Sequence, residues 1–116
     1  MHNIIILDST LREGEQFRGV CFSIEEKILL ANKLRDFGVG IIEIGQPSIS
    51  EVEKQNCIKI TQEIKGIDLL VHSRATISDV LAARATNATW IGIWASYNDI
   101  SLSTKFTNKS RNWIQE

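Results

Sequence analysis

The stretch Ile4-Ile5-Ile6-Leu7-Asp8-Ser9-Thr10-Leu11-Arg12-Glu13-Gly14-Glu15-Gln16 decides how the chain folds. Its four aliphatic residues predict a strand buried on both faces, as in a parallel sheet. Most of the residues that follow carry a charge, a hydroxyl or an amide. Because α/β folds place their ligand sites at the carboxyl ends of their strands, this polar turn marks a candidate functional site.

The side chains of the turn suit the binding of a cation or an anion. Asp8 and Glu13 offer hard oxygen ligands of the kind that divalent cations prefer. Arg12 has a planar, permanently charged fork that suits a carboxylate or a developing oxyanion. Gln16 offers both a donor and an acceptor. By composition alone, a polar surface loop with an incidental Arg12–Glu13 pair is the commoner case.

The order of residues from Asp8 to Gln16 resembles the signature that opens the catalytic barrel of the 2-isopropylmalate synthase, homocitrate synthase and citramalate synthase family. That family belongs to a wider group of metal-dependent lyases and Claisen-type synthases that includes hydroxymethylglutaryl-CoA lyase. A match of this length directly after a predicted strand is a specific signal. The resemblance implies that Arg12 is catalytic, that Glu13 binds a divalent metal cation (Mg, Mn or Zn), and that Gln16 contacts the substrate.

Composition places the chain among ordinary globular proteins. Its 116 residues are 43% hydrophobic and 23% charged, which allows a core and at most one domain. The net charge of -1 provides no basic face for nucleic acid or anionic lipid. Cys21 and Cys57 fit no metal-binding spacing, and we expect buried thiols rather than a disulfide. The N-terminus has no secretory pattern and no stretch reaches membrane-spanning length, so we expect a cytoplasmic protein.

Helices are predicted after each of the first three strands. Three residue pairs have the spacing of an N-terminal capping box: Ser23 with Glu26, Ser50 with Glu53, and Thr76 with Asp79. Residues suited to end these helices in a left-handed conformation follow them: Gly38 or Gly40, Gly66, and Asn87. The side chains expected to face the core are Ile24, Ile28, Ala31 and Leu34, then Cys57, Ile60 and Ile64, then Ile77, Val80 and Leu81.

The second predicted strand covers residues 41–45 and contains one carboxylate. The side chain of Glu43 points opposite to those of its isoleucine neighbours. If that face is the barrel interior, Glu43 needs a partner; the alternative, a solvated strand end, stays equally open. The run Ile-Glu-Ile-Gly-x-Pro resembles the second-strand motif of the family, whose Glu lines the substrate site. The resemblance therefore implies that Glu43 binds substrate and that Gln46 bears on which keto acid fits.

The third predicted strand begins at residue 67 and ends at Ser73-Arg74. His72 and Arg74 occupy alternate positions, so their side chains point the same way. An isolated histidine is more commonly a hydrogen-bonded structural residue. The sequence His-Ser-Arg resembles the third-strand motif of the family, where the Arg binds a carboxylate of the keto acid. The resemblance thus implies substrate-binding roles for Arg74 and His72.

The remaining residues predict a fourth strand over 89–95, a polar connection over 101–108, and a fourth helix from Ser110. Alternating strands and helices indicate right-handed βαβ units and a parallel sheet. A complete (β/α)₈ barrel needs about 250 residues. We therefore expect residues 1–116 to be the N-terminal part of a TIM-barrel catalytic domain, about four strands with three to four helices and with open sheet edges.

The resemblance implies an acyltransferase of amino-acid biosynthesis that condenses acetyl-CoA with a 2-oxo acid. Glu13, where other members have Asp, leans towards homocitrate synthase. The family's H-x-H metal motif has no counterpart in His2 and His72, and its acetyl-CoA loops would lie beyond residue 116, so we expect the chain alone to be inactive. A homodimer or larger homo-oligomer is expected. A non-catalytic half barrel that associates through its open edges, and a metal-dependent lyase of the same group, stay open as alternatives.

Overall fold

A computed structural model describes residues 4–96 and 98–105. These residues form an α/β unit in which strands and helices alternate. The elements in chain order are β1 (Leu7–Asp8), α1 (Thr10–Glu13), a 3₁₀ turn (Gly14–Gln16), α2 (Ile24–Phe37), β2 (Ile41–Gly45), α3 (Glu51–Glu63), β3 (Asp68–Arg74), α4 (Ile77–Arg84), β4 (Trp90–Trp94) and α5 (Asp99–Lys105).

The four strands form one parallel sheet in the order β1-β2-β3-β4. Leu7 pairs with Ile41, Ile41 with Asp68, and Leu70 with Trp90. Because neighbouring strands are parallel, all four carboxyl ends lie at one edge of the sheet. The predicted fold class is confirmed: the arrangement is that of a partial (β/α)₈ barrel.

The helix starts agree closely with the predicted capping sequences. At α2 the Ser23 hydroxyl accepts from the Glu26 amide at 3.2 Å, and the Glu26 carboxylate accepts from the Ser23 amide at 2.8 Å. Gly38 ends this helix with φ 101°. At α3 the Ser50 hydroxyl accepts from the Glu53 amide at 3.1 Å. The box at α3 is only half formed, because the Glu53 carboxylate turns inward to Lys27.

Three predicted boundaries are wrong, and one prediction cannot be compared. The α3 helix ends at Glu63 with Ile64 already extended, so Gly66 does not close it. The predicted connection over 101–108 is partly helical, because the Asn98 side chain accepts from the Ser101 amide at 2.8 Å and starts α5. The helix predicted from Ser110 lies outside the described residues. Asn87 has φ 58°, the left-handed conformation predicted for it, but α4 already ends at Arg84, so Asn87 does not end the helix.

The core lies between the sheet and its helices. Its buried apolar side chains are Leu11, Ala31, Ile42, Ile44, Cys57, Ile60, Ile64, Leu69, Val71 and Ala83. Excluding each large side chain from water contributes roughly 1.5–3 kcal/mol before the entropy cost of folding. None of the helices in the described part of the chain is long and apolar enough to cross a membrane.

The predicted burial of the first strand is wrong. Ile4, Ile5 and Ile6 are 92%, 67% and 61% exposed, and only Leu7 and Asp8 pair with β2. Within the described residues β1 is an outer strand with a neighbour on one side only. Its isoleucines therefore have no second strand or helix to cover them.

The inward face of α4 also differs from prediction. Ile77 and Leu81 are 82% and 57% exposed, and Val80 is half-buried. The buried residues of the helix are Asp79 and Ala83, one turn apart. Asp79 turns this face inward because its carboxylate is bonded by groups from the strand side, as described below.

Both cysteines are free, as expected, but only one is buried. Burial raises the pKa of the Cys57 thiol to about 12, and the nearby charge of Glu53 adds to the effect. Cys21 is exposed, contrary to prediction, because it lies in the loop before α2 rather than in the core. Cys57 is thus an inert packing thiol, and Cys21 is accessible to solvent.

Candidate functional site

The polar turn after β1 lies at the carboxyl edge of the sheet, where the other strands also end. A cleft of about 390 Å³ opens there, and one set of side chains lines it: Arg12, Glu13, Gln16, Gln46, His72, Arg74 and Trp94. Five of the six predicted site residues are in this set. The sixth, Glu43, lies next to it and is 5% exposed.

Arg12 is held by two carboxylates. Its Nε lies 2.6 Å from Glu43 Oε1, and its Nη2 donates to Glu13 Oε1. The Nε–H is poorly aligned with Glu43 for a hydrogen bond, so this contact is an ion pair. Burial lowers the pKa of Arg12, but Glu43 and Glu13 together outweigh that effect and raise it. Arg12 is therefore a fixed cation with a defined orientation.

Glu43 is not at a solvated strand end. Its Oε1 also lies 3.3 Å from His72 Nδ1, so one carboxylate connects the end of β3 to the turn after β1. The two neighbours satisfy the need of a buried carboxylate for partners. His72 thus has both a structural contact to Glu43 and a place in the wall of the cleft.

Arg74 is held by a buried aspartate from α4. Its Nε and Nη2 donate to Asp79 Oδ2 and Oδ1 at 2.6 and 3.1 Å, and Ser48 donates to Oδ2 at 2.8 Å. The hydrogen bond from Arg74 holds the pKa of Asp79 well below its usual range. The side chain of Arg74 is 60% exposed, so its guanidinium remains accessible from the cleft.

The described residues supply one candidate metal ligand rather than a complete site. The Glu13 side chain is 48% exposed and lines the cleft. Asp8 is occupied locally, because its Oδ1 accepts from the Thr10 amide at 2.9 Å. Across the parts of the chain that the structure describes, no three His, Cys, Asp or Glu side chains are grouped to hold a metal ion. These donors alone do not fit a divalent cation.

A buried ion cluster beside the cleft was missed in the sequence. Lys27 of α2 is 1% exposed and contacts both Glu15 and Glu53. A signal for it exists, because Lys27 falls on the apolar stripe of α2, three residues after Ile24 and four before Ala31. A lysine on such a stripe must find carboxylate partners.

The parallel strands, their helices and the charged residues at the carboxyl rim define the class: part of a barrel-type α/β protein with its candidate site where such folds place theirs. The chain belongs to the HMGL-like family, whose model matches residues 3–116. The resemblance based on residues 8–16 is thereby confirmed.

Individual relatives come from three kinds of synthase. The chain is 38% identical over 102 residues to a homocitrate synthase of Pyrococcus abyssi. The aligned residues are 88% of this chain and 28% of that protein. It is 37% identical over 111 residues to a putative (R)-citramalate synthase of Archaeoglobus fulgidus, with 96% of this chain and 23% of that protein aligned. It is 32% identical over 111 residues to 2-isopropylmalate synthase 2 of Caldanaerobacter subterraneus subsp. tengcongensis, with 96% of this chain and 29% of that protein aligned.

The chain spans less than a third of the length of these curated relatives, and it matches their N-terminal part. Identities to the three kinds of synthase are similar, so the comparison does not distinguish among them.

Proposed function

We propose that this chain is the N-terminal part of the TIM-barrel catalytic domain of a cytoplasmic acyltransferase that condenses acetyl-CoA with a 2-oxo acid. One observation carries the proposal: Arg12 and Glu13 are held together at the carboxyl rim, in one cleft with His72 and Arg74. The names of the relatives give the reaction class, and the cleft offers cationic groups suited to an oxo acid with more than one anionic end.

Arg12 has the central role. An acetyl enolate, formed when a base takes a proton from the acetyl group, attacks the keto carbon and turns the carbonyl oxygen into an alkoxide. Hydrolysis of the resulting thioester by water then releases CoA. A preorganised guanidinium stabilises that developing charge without having to reorient. Glu43 and Glu13 fix the orientation of Arg12, and they raise its pKa, so it stays charged throughout the reaction.

Other residues of the cleft bind the substrate. Arg74 binds the far carboxylate of the oxo acid, and Asp79 keeps its guanidinium turned for that contact. Gln16 and His72 supply further hydrogen bonds. Gln46 lines both this cleft and its neighbour, where it contacts the variable part of the oxo acid.

A divalent cation held in part by Glu13 would supply Lewis-acid polarisation of the substrate carbonyl. Glu13 is the one ligand that we assign in this chain. The remaining ligands have to come from residues other than those that the structure describes, since no three suitable donors meet there.

The test is release of free CoA by the complete protein, measured with a thiol reagent. It uses acetyl-CoA and a panel of 2-oxo acids, with Mg, Mn or Zn and with a chelator. We expect release that needs both a 2-oxo acid and a metal. Folded, metal-loaded protein that releases no CoA with any oxo acid would contradict the proposal.

The Arg12→Lys variant tests the assignment within that assay. Lysine keeps the charge but loses the fork that contacts Glu43 and Glu13, so we expect kcat to fall by about 100-fold or more. Arg18→Lys is the matched control, because Arg18 is exposed in the same connection between β1 and α2, and its rate should stay within about twofold of the wild type. Equal effects of the two variants would remove Arg12 from the mechanism.

A second candidate function is a non-catalytic half barrel that assembles through its sheet edges. The observation in its favour is the exposure of apolar side chains at both outer edges of the sheet, with Ile4 before β1 at 92% and Ile93 on β4 at 62%. Its test is the state of association in solution, argued at the end of the Discussion.

A further inference from the structure

Lys27 joins three elements through one buried ammonium group. Its Nζ lies 2.8 Å from Glu15 Oε2 and 3.2 Å from Glu53 Oε2. Lys27 belongs to α2, Glu15 to the 3₁₀ turn that follows Arg12 and Glu13, and Glu53 to the first turn of α3. A charge that is 1% exposed depends on such partners, because burying it alone is strongly unfavourable.

Glu15 connects the cluster to the turn that carries Arg12. Its second oxygen, Oε1, accepts from the Phe22 amide at 3.1 Å. This bond closes the loop between the 3₁₀ turn and the start of α2. The position of the turn is thus set by Lys27 on one side and by the loop backbone on the other.

Glu53 connects the cluster to the end of β2. Its carboxylate lies so close to Gly45 that a Cβ added there would overlap it, and the same Cβ would lie 2.9 Å from Cys57 Sγ. Gly45 ends β2 and follows Glu43, whose carboxylate contacts Arg12, by two residues. The cluster therefore contacts the turn that follows Arg12, through Glu15, and the end of β2 that follows Glu43, through Glu53. Among the described residues, it makes no direct contact that defines the Arg12–Glu43 pair itself.

We propose that Lys27 is a positioning residue, whose ion cluster holds the turn bearing Arg12 and Glu13 against the end of β2. Lys27 lines the neighbouring cleft of about 360 Å³ and is not among the residues that line the cleft of His72 and Arg74. Its effect on catalysis rests on the proposed function, but its effect on the geometry of Arg12 does not and is measured separately.

A direct chemical role for Lys27 conflicts with its surroundings. A lysine that forms a Schiff base with a keto acid needs a neutral amine and a lowered pKa. Burial lowers the pKa of Lys27, but the hydrogen bond with Glu15 and the charges of Glu53 and Glu15 outweigh burial and raise it. The ammonium stays protonated and occupied by two carboxylates, as a positioning group requires.

The catalytic test compares Lys27→Met with Lys33→Met in the complete protein. Methionine keeps the length and apolar stem of lysine but removes the charge, and Lys33 is an exposed lysine of the same helix. We expect Lys27→Met to lower kcat by about 10- to 100-fold while KM changes by less than about threefold, because a displaced Arg12 acts on the transition state. Lys33→Met should match the wild type.

A double-mutant cycle separates positioning from a general loss of stability. If Lys27 acts through the Arg12–Glu43 pair, then Lys27→Met should add little to the kcat loss of Glu43→Gln. If Lys27 were merely structural, the fold losses in kcat of the two single variants would multiply in the double variant. If Lys27→Met does not fold, Glu15→Gln replaces it in the cycle, since the amide keeps the shape of Glu15 and removes one charge of the cluster.

The geometric test needs no catalysis. The ¹⁵N resonance of Arg12 Nε, assigned through Arg12→Lys, should shift in Lys27→Met and not in Lys33→Met, in protein without substrate. This readout keeps the inference testable even if the wild type releases no CoA. An unchanged Arg12 resonance, an unchanged kcat in folded Lys27→Met, or borohydride trapping of a 2-oxo acid on Lys27 would each overturn the proposal.

Discussion

At the residue scale, two buried carboxylates hold the two arginines of the cleft. Glu43 lies against Arg12, and Asp79 makes a two-pronged contact with Arg74. In both pairs the carboxylate is less than a tenth exposed and the arginine reaches towards the cleft. Each guanidinium is therefore oriented before any ligand arrives, which is the preorganisation that anion recognition requires.

Because of the Asp79–Arg74 pair, the free energy of unfolding should depend on pH in the acidic range. The pKa of Asp79 is lowered in the folded chain, whereas the same carboxyl group in the unfolded chain has a pKa of about 4. The stabilisation is therefore complete above about pH 4 and is lost as the pH falls towards the lowered pKa. Asp79→Asn should lower the free energy of unfolding by about 1–3 kcal/mol at neutral pH, and the difference from wild type should shrink in acid.

Urea unfolding at several pH values below neutrality measures this difference. Asp36→Asn is the control, because the Asp36 side chain is 68% exposed and pairs only with the adjacent Arg35 among the described contacts. It should change the free energy of unfolding by less than about 0.5 kcal/mol. A gap between Asp79→Asn and wild type that stayed constant with pH would contradict the assigned pairing.

Some of these residues were predictable from local sequence and others were not. Arg12 and Glu13 lie in one stretch, and the alternation of His72 and Arg74 fixes their shared direction. The link between Arg74 and Asp79 joins a strand to the following helix, and the spacing of Asp79 from Thr76 suggested only a cap. Long-range partners of this kind follow from tertiary packing, which no local pattern contains.

At the element scale, capping sequences predicted helix starts better than apolar patterns predicted buried faces. The hydroxyls of Ser23, Ser50 and Thr76 each accept from the amide three residues on. These bonds lie within one turn, so sequence spacing is enough to specify them. Which face of α4 is buried depends on what packs against the helix. The apolar pattern predicted that Ile77 and Leu81 face inward, and this prediction is wrong.

The capping box of α2 predicts a measurable loss of stability. Ser23→Ala removes the acceptor of the Glu26 amide and should lower the free energy of unfolding by about 1 kcal/mol. Ser103→Ala is the matched control, because the Ser103 hydroxyl donates to the Ile100 carbonyl and caps no amide. Its effect should stay within about 0.5 kcal/mol. Chemical denaturation measures both, and equal losses would argue against the cap.

At the scale of the whole molecule, some of the exposed apolar side chains lie at the two outer edges of the sheet. Ile4, Ile5 and Ile6 directly precede β1 at one edge, and Ile93 and Trp94 lie on β4 at the other edge. The sequence predicted burial for the first of these two strands, and that prediction is appropriate for a closed barrel. Burial of an outer strand depends on what packs beside it, and the residues that the structure describes leave Ile4, Ile5 and Ile6 uncovered.

The isolated chain should therefore associate in solution. Unpaired strand edges flanked by apolar side chains favour pairing with another copy. Sedimentation velocity should show species above the 13.1 kDa of one chain. Ile4→Lys and Ile93→Lys, which place a charge at either edge, should shift the chain towards monomer. Ile77→Lys adds the same charge on α4, at an isoleucine that is 82% exposed, and should leave association unchanged. If Ile77→Lys disperses the assembly as well as the edge variants do, charge rather than edge pairing controls it, and the half-barrel interpretation loses its support.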